Sequence, residues 1–423
     1  MKIRLTILLF SLLFLKVNAQ NSNDLIIKDV NILTMKSSDI LNNKSILIQN
    51  GKIVKIDDFK KLSINKNAKI IQGKGKYIMP GLSEMHSHLP IESKVDTLLI
   101  ENVAAGVTHL RIMNTKTPQL PLKERLKNNQ NTISPKLHYS HIIRRDIKYT
   151  EIQFDSLMTE IKKNEINFIK LFSVASEEVF DNLMKSATKN NVIVCGHYPS
   201  GIKMEKVLKS GFKSIEHLAG YEQITDEVEL SKTIELTKKS GVFNCPTLDW
   251  DIMAKDLQYP NDYKNRLVYS NAPKKYLDKW EIEYNKAIEK EGIDKVLLSK
   301  EKYLPTFAYK QKILKKLSEN NCLLLLGSDA GNSFQMNGFN MYEEMYNWSK
   351  AGIDNLTILK SATITPAIFF NEDKIWGTIE IGKSADLIIL EKNPLEDIRN
   401  IRTVEMTIID GKIYLKKELL SKL

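Results

Sequence analysis

Between residues 78 and 372 short apolar runs alternate with amphipathic helical stretches, and that rhythm leaves few folds open. Repeated strand-then-helix units place their strands parallel, with helices packed outside. The runs ending at 86–88, 109–114, 138–141, 170–173, 194–197, 215–217, 243–247 and 325–329 supply eight strands. Eight such units predict an α/β chain closed as a (β/α)₈, TIM-like barrel, in which chemistry sits at the C-terminal ends of the strands. The 423 residues suit one barrel of ~250 residues with a smaller companion.

That companion is legible at the two ends. Ile46-Leu47-Ile48 and Ile53-Val54-Lys55-Ile56 flank Asn50-Gly51, and Thr407-Ile408-Ile409 and Ile413-Tyr414 flank Asp410-Gly411. Both dipeptides are strong hairpin turns. The expected organisation is a small β-sandwich domain composed of 20–77 and 373–423 around a barrel spanning 78–372. Residues 251–321 are longer than one crossover needs and are helical in pattern. They read as an insertion, either over the mouth of the barrel or along its outside.

The start of the chain is set apart. Lys2 and Arg4 precede the apolar run Leu5 to Leu15, and Val17-Asn18-Ala19 follows. The run is too short for a stable membrane span, and the pattern is that of a signal peptide, 1–19, cut before Gln20. An uncleaved anchor is the alternative. The expectation is an exported protein, periplasmic or secreted, with no stable span after cleavage. Removing Lys2, Arg4 and Lys16 leaves a mature net charge of +11 − 3 = +8. The basic residues are mostly scattered lysines without an arginine–aromatic cluster, so no nucleic-acid partner is expected. Cys195, Cys245 and Cys322 are odd in number and widely spaced, which implies buried free thiols rather than a disulfide framework.

All seven histidines, 86, 88, 109, 138, 141, 197 and 217, fall at or near a predicted strand end. His86 and His88 are two apart, so both imidazoles face one side of a strand and can share an ion. His197 and His217 end neighbouring strands at one height and suit a second divalent ion such as Zn²⁺. Asp329 ends the apolar run Leu323 to Leu326. A carboxylate there is costly without a cation, although it also suits a helix N-cap. Lys170 interrupts Phe168-Ile169-Lys170-Leu171-Phe172. Burial would lower its pKa and allow a carbamate, a bridging anionic ligand; the alternative is a lysine snorkelling to the rim.

Met79-Pro80-Gly81-Leu82-Ser83-Glu84-Met85-His86-Ser87-His88 resembles the opening motif of the amidohydrolase superfamily. Val194 to Pro199, Ser214 to Leu218, Gly327 to Gly331 and Ile381 to Leu387 resemble its later motifs in the right order. The branch most similar is the imidazolonepropionase-like and Xaa-Pro dipeptidase-like group. The resemblance implies two metal ions: His86 and His88 on the more buried one, His197 and His217 on the other. A carboxylated Lys170 would bridge them, and Asp329 would bind the buried ion and handle the proton. Glu84 stands where the family usually has Asp, and Tyr342 where many relatives in this branch carry His, which weakens any substrate carried over from them.

The expected reaction is hydrolysis of an amide-type C–N bond by a hydroxide shared between two Zn²⁺ ions. Asp329 would move the proton, and His141, Tyr198 and Tyr342 are candidate substrate contacts. Small molecules or dipeptides, especially Xaa-Pro, are the expected substrates, and a homo-oligomer is compatible with the sequence. Alternatives are a hydrolase of lactones or cyclic amides, a mononuclear deaminase and a non-catalytic binding protein. Deaminases of this kind carry a Glu three residues past the fifth-strand histidine, where this chain has Ser200.

Overall fold

The computed structural model describes residues 24–129, 131–254, 262–331 and 334–423. The predicted signal peptide and residues 255–261 of the predicted insertion lie outside the described residues. Among those described, no helix is long and apolar enough to cross a membrane.

The N-terminal end forms Leu25–Leu33 (β1), Ile40–Gln49 (β2), Lys52–Asp57 (β3), Lys69–Gln72 (β4) and Tyr77–Pro80 (β5). Asn50 and Gly51 both take positive φ, 49° and 73°, the conformation of a tight two-residue hairpin. Gly81 ends this layer, where a Cβ would lie 2.2 Å from the Thr108 side chain.

The chain then enters two parallel sheets. Leu82–Leu89 (β6), Val107–Thr115 (β7) and Lys136–His138 (β8) form one. Ser140–Ile143 (β9), Phe168–Leu171 (β10), Ile193–Gly196 (β11), Ser214–Glu216 (β12) and Phe243–Cys245 (β13) form the other, in the order β13-β12-β11-β10-β9. Only Tyr139 separates β8 from β9. Residues 323–326 run between the far edges of the two sheets. The Asn244 N–H donates to Leu323 O at 2.9 Å, and the Met85 N–H to Leu326 O at 3.1 Å. Met85, Met113, Phe168, Cys195, Phe243, Cys245 and Leu325 pack into one cluster between them. Helices follow the strands and start on side-chain caps: Thr150 with Gln153 in a reciprocal capping box, Ser176 on Val179, and Asp226 on Glu229.

Leu387–Leu390 (β14), Val404–Ile409 (β15) and Lys412–Leu415 (β16) return the chain to the first layer. Antiparallel pairing of β14 with β5, Ile389 opposite Ile78, joins both chain ends into one eight-stranded sheet. Ile27, Ile46, Ile78, Leu387 and Ile408 form its core. The Asp410-Gly411 turn packs on the Asn50-Gly51 turn so closely that a Cβ at Gly51 would lie 2.9 Å from Asp410 O. The change of sheet falls at Gly81, a few residues after the boundary read from the sequence. All three cysteines are free and buried.

Candidate metal centre and active site

Six side chains converge at the C-terminal ends of the parallel strands. His86 and His88 come from β6. Lys170 comes from β10, whose register partner is Ile142 on one side and Cys195 on the other. His197 and His217 follow β11 and β12, and Asp329 follows the 323–326 segment. The His86 and His217 ring centroids are 4.8 Å apart, and those of His197 and His217 are 5.0 Å apart. Asp329 Oδ1 lies 3.4 Å from His88 Nε2, and Oδ2 lies 3.8 Å from His86 Nε2.

A layer of polar partners aims each ring. Glu216 Oε2 lies 2.8 Å from His86 Nδ1. Burial raises the Glu216 pKa, but the buried Arg111 guanidinium outweighs it and keeps the carboxyl below its ordinary value. Arg111 donates to both Glu216 oxygens at 2.9 and 2.8 Å and to Ser214 Oγ at 3.0 Å. A charged Glu216 accepts a hydrogen bond from the Nδ1–H of His86, so Nε2 presents its lone pair to the centre. His197 Nδ1 donates in the same way to Phe172 O at 3.1 Å. His217 Nδ1 lies 2.6 Å from Thr247 Oγ1, and the Nε2 atoms of His197 and His217 face each other at 3.2 Å. Burial first, and then neighbouring positive charge including Lys170, keeps all four rings neutral, with pKa values well below 6.5 for His86 and His217 and about 4 for His88 and His197.

Lys170 is buried, and its amine has no hydrogen-bond partner among the described residues. Burial lowers its pKa to about 8. Gly196 makes room for it: φ is +139°, and a Cβ would meet Leu171 O at 2.2 Å and Lys170 Cδ at 2.9 Å. Burial also pushes the Asp329 carboxyl up to about 8. Glu84 holds Asp329 in place. It accepts from the His86 and Ser328 N–H groups at 2.9 Å and from the Ser328 hydroxyl at 2.6 Å. The longer acid at this position therefore still clamps the segments that carry His86 and Asp329 together.

Backbone strain concentrates here. His217, Leu218, Thr247 and Asp329 have φ of 66°, 55°, 51° and 50°, each costing ~1 kcal/mol or more without a glycine. Backbone bonds from His217 N–H to Cys245 O, 2.8 Å, and from Asp329 N–H to His86 O, 3.0 Å, hold the bends.

The donor set fits divalent cations. His86, His88 and Asp329 present ligand atoms within 4.8 Å of one another. Among the described residues, the buried His86 Nε2 and Lys170 Nζ have no hydrogen-bond partner, which is costly unless a ligand completes them. Cys245 also lies near His86 and Glu216, but burial raises its thiol pKa well above 9 and keeps it protonated, so it is a poor ligand.

The three side chains expected to contact substrate have other surroundings in this structure. His141 pairs in register with Ile169, which faces the outer helices, whereas Lys170 faces the centre. A one-residue offset on a strand reverses the face, and the charge that His141 feels is Glu160 of the outer helix Glu151–Lys163. The Tyr198 hydroxyl donates to Ile202 O. Tyr342 is buried in the helix Asn340–Lys350 and donates to Ala105 O at 2.8 Å. None of these three lines the cleft. His109 and His138 lie low in their strands and stack on Trp376 and Phe370.

Residues not singled out in the sequence complete the cleft. It has a volume of about 770 Å³, and its walls include Phe172, Trp250 and Asp251. Tyr303, Thr306 and Lys310 reach it from the helix Ile293–Glu319. Lys310 Nζ binds Asp251 at 2.8 Å and Glu222 at 3.1 Å. The insertion thus contributes one wall of the mouth.

A parallel α/β scaffold that gathers neutral imidazoles, a buried carboxylate and a desolvated lysine at its strand ends defines the class of metal-dependent hydrolases. The amidohydrolase family pattern matches residues 77–414, and the chain belongs to that family, hydrolases acting on carbon–nitrogen bonds that generally bind divalent metals. No curated protein matches significantly. Among solved structures, the chain is similar to a Xaa-Pro dipeptidase with bound methionine in the active site (18% identity, 93% of this chain and 100% of that one, TM-score 0.68). A prolidase complexed with N-methylphosphonate-L-proline is similar at 18% identity, with 93% and 99% covered and a TM-score of 0.65. The A. niger ochratoxinase is similar at 16%, with 93% and 96% covered and a TM-score of 0.64.

Proposed function

We propose that this protein is an exported hydrolase of small amides, with dipeptides, and Xaa-Pro dipeptides first among them, as substrates. The observation that carries the reading is the meeting of four neutral imidazoles, Asp329 and the unpartnered Lys170 amine at one end of the parallel strands. The names of the dipeptidase and prolidase structures support the substrate class.

On this reading the two parallel sheets and residues 323–326 form one closed (β/α)₈ barrel, supported by the Asn244 and Met85 hydrogen bonds that flank that segment. The terminal sheet folds over its own core as a sandwich, and residues 20–77 with 373–423 form that domain. His86, His88 and Asp329 would hold one ion, His197 and His217 a second, with Lys170 between them as a carbamate. Two divalent ions, zinc by ligand type, would polarise the amide carbonyl and lower the pKa of the attacking water. Asp329, ionised once cations offset its burial, would accept the proton of that water and return it to the leaving nitrogen. Glu84 and Glu216 orient the groups that surround it.

Metal analysis with a panel of dipeptides and N-acyl amino acids tests the reading. About two ions per chain and cleavage of members of the panel are expected, while one ion and deamination would overturn it. Asp329→Asn should keep its metal and lose ~10²–10⁴-fold in turnover; an active variant removes Asp329 from proton transfer. Export is tested by the mature N-terminus, expected at Gln20.

A further inference from the structure

Arg144 lies outside every network described above. It follows β9, in the loop above the third strand, and its side chain is exposed. Its guanidinium carbon lies 4.3 Å from the centroid of the Phe172 ring, and Nη2 donates to Asn114 Oδ1 at 3.2 Å. Phe172 lines the cleft, with its ring 4.6 Å from that of His197. Asn114 is the register partner of His88. The guanidinium therefore sits on the rim between the strand ends that carry both halves of the metal centre. Among the described residues, no carboxylate lies within ion-pairing distance of it, whereas the interior guanidiniums Arg111 and Arg266 each have one.

A stacked guanidinium keeps its planar fork of N–H groups free at the edge, the geometry that grips a carboxylate with two parallel hydrogen bonds. The far wall has a different character: it carries two carboxylates, Asp251 and Glu222, both bound to the Lys310 ammonium. A substrate carboxylate is repelled there and attracted to the Arg144 rim, which gives the cleft a polarity.

We propose that Arg144 recognises the free carboxylate of the substrate. The substrates are then amides of amino acids whose carboxylate is unblocked, bound with that carboxylate toward Arg144 and the acyl side toward Trp250 and Tyr303. This rests on the amide-hydrolase reading and narrows it.

The test compares zinc-loaded wild type with Arg144→Met and Arg144→Lys on matched pairs: a dipeptide and its C-terminal amide, and an N-acetyl amino acid and its amide. Wild type should favour the acids. In Arg144→Met the acid-over-amide ratio of kcat/KM should fall ~10–100-fold, the size of a lost charge-assisted contact, mainly through KM, with Arg144→Lys between. An equal loss on acids and amides, or a wild type indifferent to amidation, overturns the proposal. Calorimetric titration of Asp329→Asn with the N-acetyl amino acid, with and without Arg144→Met, separates the two readings. Arg144-dependent binding without hydrolysis in wild type would overturn the amide-hydrolase reading and leave carboxylate recognition standing. Binding that does not depend on Arg144, or no binding, overturns the recognition.

Discussion

Arg111 never touches the cleft, yet the aim of His86 depends on it. Its guanidinium is buried in β7 and neutralises Glu216 on β12, 105 residues away in the chain. Arg111→Met would leave that carboxylate buried and unpaired, a loss of ~3–5 kcal/mol. Thermal unfolding should register it, and Arg111→Met with Glu216→Gln should recover part of it because no lone charge remains. If the double variant is no more stable than the single one, the charge pair is not what matters. Lys170→Met tests the other buried cation. Methionine conserves the unbranched stem, so the fold should persist or become more stable, since a desolvated amine is removed. Metal content should fall from about two ions per chain to about one, with kcat/KM lower by ~10² or more; full occupancy would exclude Lys170 as a bridge. The convergence of four histidines was legible because His86 and His88 share a strand face and His197 and His217 end adjacent strands. Arg111 and Glu216 were not singled out in the sequence, because which charge meets which is set by pairing across the sheets, which local periodicity does not encode. The face His141 presents was not legible for a related reason: register decides the face, and one residue reverses it.

The helix Ile293–Glu319 shows what is legible at the level of elements. Its helical pattern was readable, and seven of the eight predicted strand ends fall on or beside an observed strand, while 325–329 follow only an isolated bridge between Leu324 and Asn244. Its position was not readable, because contacts distant in sequence set it: Ile313, Leu314 and Leu317 are buried in the core, Lys312 and Lys316 pair with Glu227, and Lys310 reaches the cleft wall. Lys310 ties the helix to Asp251, beside Trp250, and to Glu222, in the turn after His217. Lys310→Met should loosen this wall without touching the metal ligands. The expected result is a KM raised ~10-fold with kcat within about threefold, an effect of lost positioning rather than lost chemistry. Amide exchange in 293–306 should speed up while the parallel strands keep their protection. A fall in kcat with KM unchanged would instead place Lys310 in the reaction. Tyr342 depends on the same scale: in the first turn of its helix, it is buried and hydrogen-bonds Ala105 O.

The whole molecule is held together where the terminal sheet meets the undersides of the parallel strands. Asp386, just before β14, lies 3.4 Å from His109 Nε2 and accepts from Lys136 Nζ at 2.8 Å, while His138 Nε2 lies 3.2 Å from His109 Nδ1. Burial, then the charges of His109, Arg111 and Lys136, holds the His138 pKa well below 6.5. Below about pH 6.5 the unfolded chain takes up that proton and the folded chain does not, so stability falls as pH falls. Asp386 acts lower on the scale. Burial raises its pKa, but His109 and Lys136 outweigh burial and hold it below 3.8. Its contribution is complete above that value and is lost as pH falls through the folded pKa. Acid should therefore destabilise this joint in two stages, the first at mildly acidic pH. Urea unfolding of the metal-free protein between pH 4 and 8 should show His138→Phe with a flatter slope below pH 6.5 than wild type. Asp386→Asn should keep that slope but lie about 3 kcal/mol lower near neutrality, having lost one side of a buried ion pair. Curves for His138→Phe and wild type that run parallel through this range would show that the buried imidazole does not set the first stage.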